Sequence, residues 1–276
     1  MKPVAAGSLY VVSTPIGNLS DLSHRAVEVL NSVTTILAED TRHSRTLLTR
    51  YEIKTRIESY HEHNEAQMAG KVVARIEAGE SLALISDAGT PLLSDPGARL
   101  IAAAVEAGVT IVPVPGASAL LAAVVGSGLP ADRFTYFGFL ERKGKGRGEA
   151  IADIAALRHL AVIYEAPGRV GALLAELVEV GAGDRAAVVA RELTKQFEEY
   201  ARGSVSELAA RYSEDGPRGE VVVLVAAAPD AVVDEATIRA RALTLKAEGL
   251  SARDVARVLS IECGASRNLA YRIAHE

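Results

Sequence analysis

The sequence is poor in cysteine, tryptophan and aromatic residues: among 276 residues it has one cysteine, no tryptophan and 4% aromatics. The single Cys263 excludes a framework of intramolecular disulfides, so we interpret it as a small core residue. No apolar run is long enough for a membrane-spanning helix. The first residues lead almost directly into a predicted strand, without the apolar stretch of a signal peptide. These absences predict a cytoplasmic protein of bacterial type.

Several familiar binding and catalytic motifs are also absent. No Gly-x-Gly-x-x-Gly follows the first predicted strand and no Walker lysine loop is present, which disfavours the usual dinucleotide and nucleoside triphosphate sites. The chain lacks a Cys-x-x-Cys pair, a His-Glu-x-x-His motif and a nucleophile elbow. His61 and His63 form a His-x-His pair with no third ligand at a recognisable spacing, so we predict no metal site.

The composition indicates a folded chain with more than one domain. Hydrophobic residues make up 49% of the sequence, which is enough for sizeable cores. At this length two or three domains are expected. Apolar strand-like runs alternate with helix-like patterns, which predicts α/β architecture. We place α/β domains at 1–115 and 116–230 and a small helical domain at 235–276, with a linker at 229–234.

The most informative stretch is residues 84–97, which read LISDAGTPLLSDPG. An apolar run over 82–85 predicts a buried strand, and two turns rich in Gly, Pro and Asp follow it. Gly89 lets the backbone approach a ligand closely, and Asp95 is a plausible N-cap of the next helix. Ligands of open α/β sheets bind at the carboxyl ends of strands, so a binding site is predicted. An ordinary strand-to-helix connection is the alternative.

Two other predicted strands end in clusters of charged residues. Glu39, Asp40 and Arg42 follow one of them. A helix start that favours acids explains Asp40 there, but it does not explain Arg42. Glu192 and Lys195 follow a later strand. Both clusters are therefore candidates for a functional site.

Two further segments have the composition of substrate-contacting loops. His61, His63 and Asn64 predict a polar loop at a substrate entrance, with an idle surface loop as the alternative. The segment 141–147 places four cations among glycines, which favours contact with phosphate groups over a solvated hairpin tip. Its cations are Arg142, Lys143, Lys145 and Arg147.

The C-terminal residues differ from the rest in charge. The net charge of −5 argues mildly against a nucleic-acid-binding protein, but residues 238–276 hold seven basic and four acidic side chains. Three short predicted helices with a Gly-containing turn are typical of a helix-turn-helix-like unit. Its candidates for contact with nucleic acid are Arg253, Arg267, Arg257 and Arg272, and a small packing bundle is the alternative.

The motifs along the chain carry a family resemblance. In order, TPIGN, EDTRHS, HEHNE, LISDAGTPLLSDPG, PVPGASAL, FGFL, YEAPGRV, ARELTKQFEE and RGEVVVLV resemble the tetrapyrrole-methylase fold family, and more narrowly its ribosomal RNA small-subunit methyltransferase I branch. The resemblance spans roughly residues 9–225, and the tail resembles the helical domain of that branch. It implies two α/β domains with S-adenosylmethionine in the cleft between them. It also implies 2′-O-methylation of a cytidine ribose in small-subunit (16S) ribosomal RNA by a homodimer.

The resemblance also implies roles for individual residues. The residues at the cofactor cleft are Pro15, Asp87, Ala88, Gly89, Ser118, Phe137, Gly138, Ala166 and Glu220. A ribose hydroxyl is a weak acid, so methylation calls for a general base or a charge stabiliser. The catalytic candidates are Glu39, Asp40, Arg42, Glu192 and Lys195, with Arg191 and Glu198 as further possibilities. Lys195 with Glu192 is our first choice, and a structural ion-pair cluster is the alternative.

Two other function classes remain open at the level of sequence. A methylase of a tetrapyrrole precursor shares the cofactor loops but needs neither the basic segment nor the helical tail. A non-enzymatic nucleic-acid-binding regulator needs the tail but not the turns at the strand ends. Cofactor binding separates the regulator from both enzymes.

Overall fold

The computed structural model describes residues 4–229 and 234–276. The chain divides into two compact units, Met1–Ala227 and Ala228–Glu276. The first unit contains two five-stranded sheets, and the second contains three helices. Because both sheets belong to one unit, the boundary between 115 and 116 stays a prediction. Most of the predicted linker, 230–233, lies outside the described residues. No described helix is both long and apolar enough to cross a bilayer.

The first sheet is entirely parallel, with strand order β3-β2-β4-β1-β5. Its elements are β1 (Ser8–Val12), α1 (His24–Ser32), β2 (Thr35–Ala38), α2 (Thr41–Arg50), β3 (Arg56–Ser59), α3 (Glu65–Glu77), β4 (Leu82–Ile85), α4 (Ala98–Glu106) and β5 (Thr110–Val114). The central strands β1, β2 and β4 are buried along their whole length because helices cover both faces of the sheet. Helices α1 and α2 share one apolar core with the strands, and α3 and α4 share another.

The second sheet is mixed, with strand order β6-β7-β10-β8-β9. Its elements are α5 (Ala119–Ser127), β6 (Phe134–Phe139), α6 (Lys145–Ala156), β7 (Leu160–Glu165), α7 (Val170–Glu179), β8 (Ala186–Arg191), β9 (Glu199–Ser204), α8 (Val205–Arg211) and β10 (Val221–Val225). Only β6 and β7 run parallel. Helices α6, α7 and α8 cover one face. Helix α5 covers the other face, where Ile16 and Leu93 from the loops of the first sheet join the same core.

The second unit is a three-helix bundle with its own apolar core. Its helices are α9 (Glu235–Ala247), α10 (Ala252–Glu262) and α11 (Arg267–His275). Ser251 and Ser266 are the N-caps of α10 and α11, because their side chains accept hydrogen bonds from the first turns of these helices. Cys263 is buried in this core, as predicted.

The helical unit is less basic than residues 238–276 alone, because its first helix starts at Glu235. Asp234 caps α9, and Glu235 is the first helical residue. Both acids therefore belong to the bundle. Residues 234–276 hold seven basic and six acidic side chains, so the bundle is close to neutral.

Two predicted element boundaries near candidate residues are wrong. The helix after the doubled turn begins at Ala98 rather than at Pro96, and Asp95 does not cap it. Gly97 precedes the helix with φ 126°, and its N–H donates to Glu65 Oε2 at 3.0 Å. The segment 141–147 is not a continuous loop, because α6 begins at Lys145. In both places long-range contacts override the local turn signals.

Candidate active site

Two loops meet at the carboxyl edge of the first sheet. The chain leaves the neighbouring strands β1 and β4 in opposite directions along the sheet. Backbone hydrogen bonds of 2.8 and 3.0 Å join Thr14 and Gly89, one from each loop. The Thr14 hydroxyl also donates to the carbonyl of Ser86 at 3.1 Å. Such a switch point is where open α/β sheets bind ligands.

A cavity of about 370 Å³, the main cavity, lies between this edge and the second sheet. The loops after β1 and β4 and the start of α5 form one side. The ends of β6 and β7, the loop after β8 and the start of β10 form the other side. Five of the predicted cofactor residues line it: Ala88, Gly89, Ser118, Ala166 and Glu220. Its volume is in the range of sites that hold one small organic ligand.

The remaining predicted cofactor residues lie elsewhere. Pro15 and Asp87 line a second cavity of about 120 Å³, together with residues of α2. Phe137 packs against the core under the second sheet. Gly138 has φ +63° and sits where the register between β6 and β7 shifts, as its position in a strand predicts.

Gly89 occupies a position that only a small residue can take. Its φ is +88°, in the left-handed region that favours glycine. A Cβ there would lie 3.2 Å from Ile16 Cγ2, and both residues line the main cavity. A larger side chain would therefore collide with the cavity wall and strain the backbone.

Three carboxylates lie close together at this edge. Burial, with Glu39 and Asp87 nearby, raises the pKa of Asp95 to about 7. Burial and repulsion from Asp87 also raise the pKa of Glu39. Within the described part of the chain none of the three forms an ion pair. A cationic group that binds at this edge would favour the ionised form of these carboxylates.

Aromatic side chains form part of the opposite wall. The rings of Tyr136 and Tyr164 meet edge to face at 5.0 Å, and Phe139 meets Tyr164 at 5.6 Å. The Ser94 and Tyr136 hydroxyls are 2.7 Å apart, which links the doubled turn to this wall. Phe139 lines the main cavity and is 57% exposed, so it presents an apolar ring at the rim.

The loop after β8 places Lys195 between two carboxylates. Its Nζ lies 3.0 Å from Glu192 Oε1 and 3.1 Å from Glu220 Oε2. Burial works against the charge of Lys195, but these two hydrogen bonds outweigh it and raise the lysine pKa. The bond from Lys195 in turn lowers the pKa of Glu192. Lys195 is thus a cation near neutral pH and cannot serve as a base.

The same loop is held against the TPIGN turn. A Cβ on Gly17 would lie 2.4 Å from Lys195 Cγ, so the lysine stem crosses the glycine. The Asn18 N–H donates to Thr194 Oγ1 at 3.1 Å. Glu192 and Thr194 have φ of 52° and 66°, a strained conformation that the surrounding contacts must maintain. The ion-pair interpretation of Glu192 and Lys195 and the catalytic one both fit this geometry.

The three predicted site residues at the end of β2, Glu39, Asp40 and Arg42, differ in their contacts and exposure. Asp40 Oδ1 accepts hydrogen bonds from the N–H groups of Arg42 and His43 at 2.8 and 3.4 Å, which caps α2 and lowers the Asp40 pKa. Asp87 Oδ1 accepts from the Asp40 N–H at 3.0 Å. The Arg42 side chain is almost fully exposed. Burial and repulsion from Asp87 raise the pKa of Glu39, whereas Asp40 has a lowered pKa.

The predicted polar loop is ordered by its asparagine. Asn64 Oδ1 accepts from the His61 N–H at 2.9 Å, and Asn64 Nδ2 donates to the Ser59 carbonyl at 3.1 Å. The rings of His61 and His63 meet edge to face at 5.8 Å. No group of three His, Cys, Asp or Glu side chains in the described ranges could hold a metal ion.

One predicted phosphate contact is wrong. Arg147 is 6% exposed, lies within α6, and donates to Glu176 and to the Glu141 carbonyl. Its side chain is buried because it pairs with Glu165 on β7 and Glu176 on α7, which are remote in sequence. Arg142 and Lys143 are exposed, and Lys145 is exposed beside Glu149 at 3.2 Å.

The arginines of the bundle divide into paired and unpaired groups. Arg239, Arg241 and Arg272 form ion pairs with acids of the bundle. Arg253 and Arg267 are exposed and, among residues 234–276, have no acidic partner. These two of the four predicted nucleic-acid contacts are therefore available cations, whereas Arg257 and Arg272 lie 3.7 Å from Asp254 and 2.6 Å from Glu235.

Some residues of the main cavity were not among the predicted site residues. Asp95, Tyr164, Leu193 and Gly219 all line it. Asp95 is the second carboxylate of the doubled turn, and this pattern could have identified it as a site residue. Its interpretation as a helix N-cap pointed instead to a structural role. Tyr164 precedes the YEAPGRV turn directly. Leu193 and Gly219 follow no local pattern, since their position depends on how β8 and β10 pair.

Comparisons with known proteins agree with this architecture. The family model described as Tetrapyrrole (Corrin/Porphyrin) Methylases matches residues 8–209. Ribosomal RNA small subunit methyltransferase I of Micromonospora olivasterospora is 45% identical over 96% of this chain and 86% of its own length. The protein of the same name from Synechocystis sp. is 41% identical over 98% of each chain.

Solved structures share the fold at low sequence identity. Uroporphyrin-III C-methyltransferase from Thermus thermophilus, crystallised with S-adenyl homocysteine, has a TM-score of 0.57 at 18% identity, covering 79% of this chain and 97% of its own. Diphthine synthase has a TM-score of 0.62 at 16% identity, covering 79% and 89%. Together with the near full-length relatives, these matches show that the chain belongs to the tetrapyrrole methylase family and, within it, to the ribosomal RNA small-subunit methyltransferase I branch.

Proposed function

We propose that the protein transfers a methyl group from S-adenosylmethionine to small-subunit ribosomal RNA, at the 2′ hydroxyl of a cytidine ribose. The observation that carries this proposal is the match to ribosomal RNA small subunit methyltransferase I at 41–45% identity over almost the whole chain. The main cavity at the switch point of the first sheet supports it, because it can hold one small cofactor. The ribose position and the cytidine come from the family resemblance.

The residues around the main cavity fit this cofactor. S-adenosylmethionine supplies a methyl group on a sulfonium cation, which the hydroxyl attacks in line. The backbone at Ala88 and Gly89 gives the close approach that an extended ligand needs. Asp95 offers a carboxylate to its cationic end, and Glu220, Ser118 and Ala166 line the remaining walls. Asp87 and Pro15 support this loop from the side of the second cavity.

The catalytic candidates receive different proposed roles. Glu39 is our candidate for the general base, since a raised pKa brings a carboxylate closer to the value that proton abstraction near neutral pH requires. Lys195, held by Glu192, is a candidate for stabilising negative charge on the acceptor. Asp40 caps α2 and thereby positions Glu39 and Arg42.

The RNA is proposed to contact exposed cations and polar loops. The candidates are Arg142, Lys143, Lys145, Arg253, Arg267, His61, His63 and Asn64. Because the substrate is ribosomal RNA, we place the protein in the cytoplasm. We also propose a homodimer. Leu121 and Val125 of α5 are 53% and 84% exposed, and such apolar side chains on a helix favour association.

The decisive experiment is methyl transfer from labelled S-adenosylmethionine to small ribosomal subunits from a strain that lacks the enzyme. We expect one methyl group per subunit, located on a ribose. Glu39→Gln and Lys195→Met should lower kcat by about 100-fold or more while cofactor affinity stays near that of the parent. Methylation of a tetrapyrrole precursor without methylation of the subunits would contradict the proposal. Failure to bind the cofactor would favour a non-enzymatic regulator.

A further inference from the structure

A buried glutamate, Glu165, lines the main cavity and is paired with a buried arginine, Arg147, which does not line it; neither has a part in the function proposed above. The side chains of Arg147 and Glu165 are 7% and 0% exposed. Arg147 Nη1 lies 3.6 Å from Glu165 Oε2, and Arg169 forms an ion pair with Glu165 Oε1. Isolated charges are costly in such surroundings, so the group persists only because it is mutually paired.

These side chains hold the backbone at one residue that lines the main cavity and at a second that is close in sequence to another lining residue. Glu165 Oε1 accepts a hydrogen bond from the N–H of Ala166 at 2.8 Å, and Ala166 is a cavity residue. Arg147 Nη1 donates to the carbonyl of Glu141 at 3.1 Å. Glu141 follows Phe139, the cavity residue at the end of β6, by two positions. One buried pair thus connects the ends of β6 and β7.

Arg147 has a second carboxylate partner, which provides a contrast. Its Nε donates to Glu176 Oε1 and Oε2 at 3.0 and 2.8 Å. Glu176 lies on α7, is partly exposed, and does not line the main cavity. Both carboxylates stabilise the same arginine, but only Glu165 also bonds a residue of the cavity wall.

We propose that Arg147 and Glu165 are positioning residues for the cofactor: by fixing Ala166 and the end of β6, they set the shape of one wall of the main cavity and so its affinity for S-adenosylmethionine. This inference rests on the proposed function. It assigns Arg147, a cation of the basic segment, to cofactor binding rather than to RNA. Arg142 and Lys143, five and four positions earlier, remain RNA candidates.

The test compares Glu165→Ala, Glu165→Gln and Glu176→Ala by calorimetric titration with S-adenosylmethionine. Glu165→Ala removes the acceptor for the Ala166 N–H, whereas Gln keeps an oxygen there. We expect about tenfold weaker binding for Glu165→Ala, the loss of one buried positioning hydrogen bond. Glu165→Gln should bind within about threefold of the parent, because the acceptor oxygen is retained. Glu176→Ala should bind like the parent although it removes a partner of the same arginine. Thermal unfolding without ligand reports stability separately.

If Glu165→Ala does not fold, the cofactor affinities of Glu165→Gln and Arg147→Met test the inference. We then expect Arg147→Met to bind more weakly than Glu165→Gln, while its affinity for RNA keeps the salt dependence of the parent. Glu165→Ala or Arg147→Met with parental cofactor affinity would overturn the inference, as would a Gln variant as weak as the Ala variant. A loss of affinity in Glu176→Ala equal to that in Glu165→Ala would mean a purely structural role. If the parent itself does not bind the cofactor, the proposed function fails first and this inference with it.

Discussion

The acids at the carboxyl edge of the first sheet and those at the facing edge of the second sheet differ in whether they are paired with cations. On the side of the first sheet, Glu39, Asp87 and Asp95 lie near one another without an ion pair in the described residues, and burial and repulsion raise two of their pKa values. On the side of the second sheet the acids are matched with cations. Lys195 lies between Glu192 and Glu220, and Arg147 and Arg169 flank Glu165.

The difference assigns separate tasks to the two sheets. Uncompensated carboxylates destabilise the empty site, and a cationic ligand relieves that repulsion. Paired carboxylates contribute little net charge but hold loops in place. The first sheet therefore supplies the attraction for a cationic cofactor, and the second supplies a rigid wall against which the cofactor is held.

The largest effect is expected from adding a side chain at Gly89, on the side of the cavity formed by the first sheet. Gly89→Val should weaken S-adenosylmethionine binding by about ten- to a hundredfold, because the side chain overpacks the contact with Ile16. Gly79→Val is the matched control. Gly79 also has a positive φ, of +98°, but a Cβ there meets nothing within 4 Å. Calorimetry on both proteins separates collision from backbone strain, and equal affinities would remove Gly89 from the site.

A smaller effect is expected from removing one unpaired acid. The pKa of Asp95, raised to about 7, means that the folded protein binds a proton there that the unfolded chain releases near pH 4. Stability from this group is therefore present below about pH 4 and is lost as the pH rises towards 7. Relative to the parent, Asp95→Asn should gain roughly 1–2 kcal/mol in unfolding free energy between pH 5 and pH 8.

Asp95→Asn should stabilise the folded protein but weaken binding of the cofactor. A cationic ligand favours the ionised form of Asp95, so cofactor binding near pH 6.5 should release part of a proton in the parent and none in Asp95→Asn. Titrations in buffers with different ionisation enthalpies measure this release. Asp132→Asn, at an exposed site outside the cavity, serves as the control. Equal proton release in parent and Asp95→Asn would show that Asp95 does not respond to the ligand.

The same contrast explains which parts of the site could be predicted from sequence. The edge of the first sheet is encoded locally, since the strand, Gly89 and both carboxylates of the doubled turn lie within 82–97. The matched charges depend on tertiary contacts. Arg147 follows a glycine-rich basic pattern, but its partner Glu176 lies 29 positions away. The Asn18 to Thr194 hydrogen bond spans 176 positions. Sequence patterns predict side chains at strand ends, but they do not predict which of them become paired.

The smallest effect tests whether pairing also decides which cations contact RNA. Arg142 and Lys143 are exposed without an acidic partner in the described residues, and Lys145 has only the exposed Glu149 beside it. Changing all three to Gln should reduce the slope of log K against log salt by about 2, since each lost contact with single-stranded RNA removes about 0.7. Arg253→Gln with Arg267→Gln should reduce it by about 1.4. Arg239→Gln, which removes an arginine already paired with Glu235 and Glu276, is the control and should leave the slope unchanged. RNA affinity is measured at four or more salt concentrations. If substitution of paired and of unpaired arginines changes the slope equally, pairing within the protein does not decide which cations contact RNA. The contrast between paired and unpaired charges would then apply to the cofactor cavity alone.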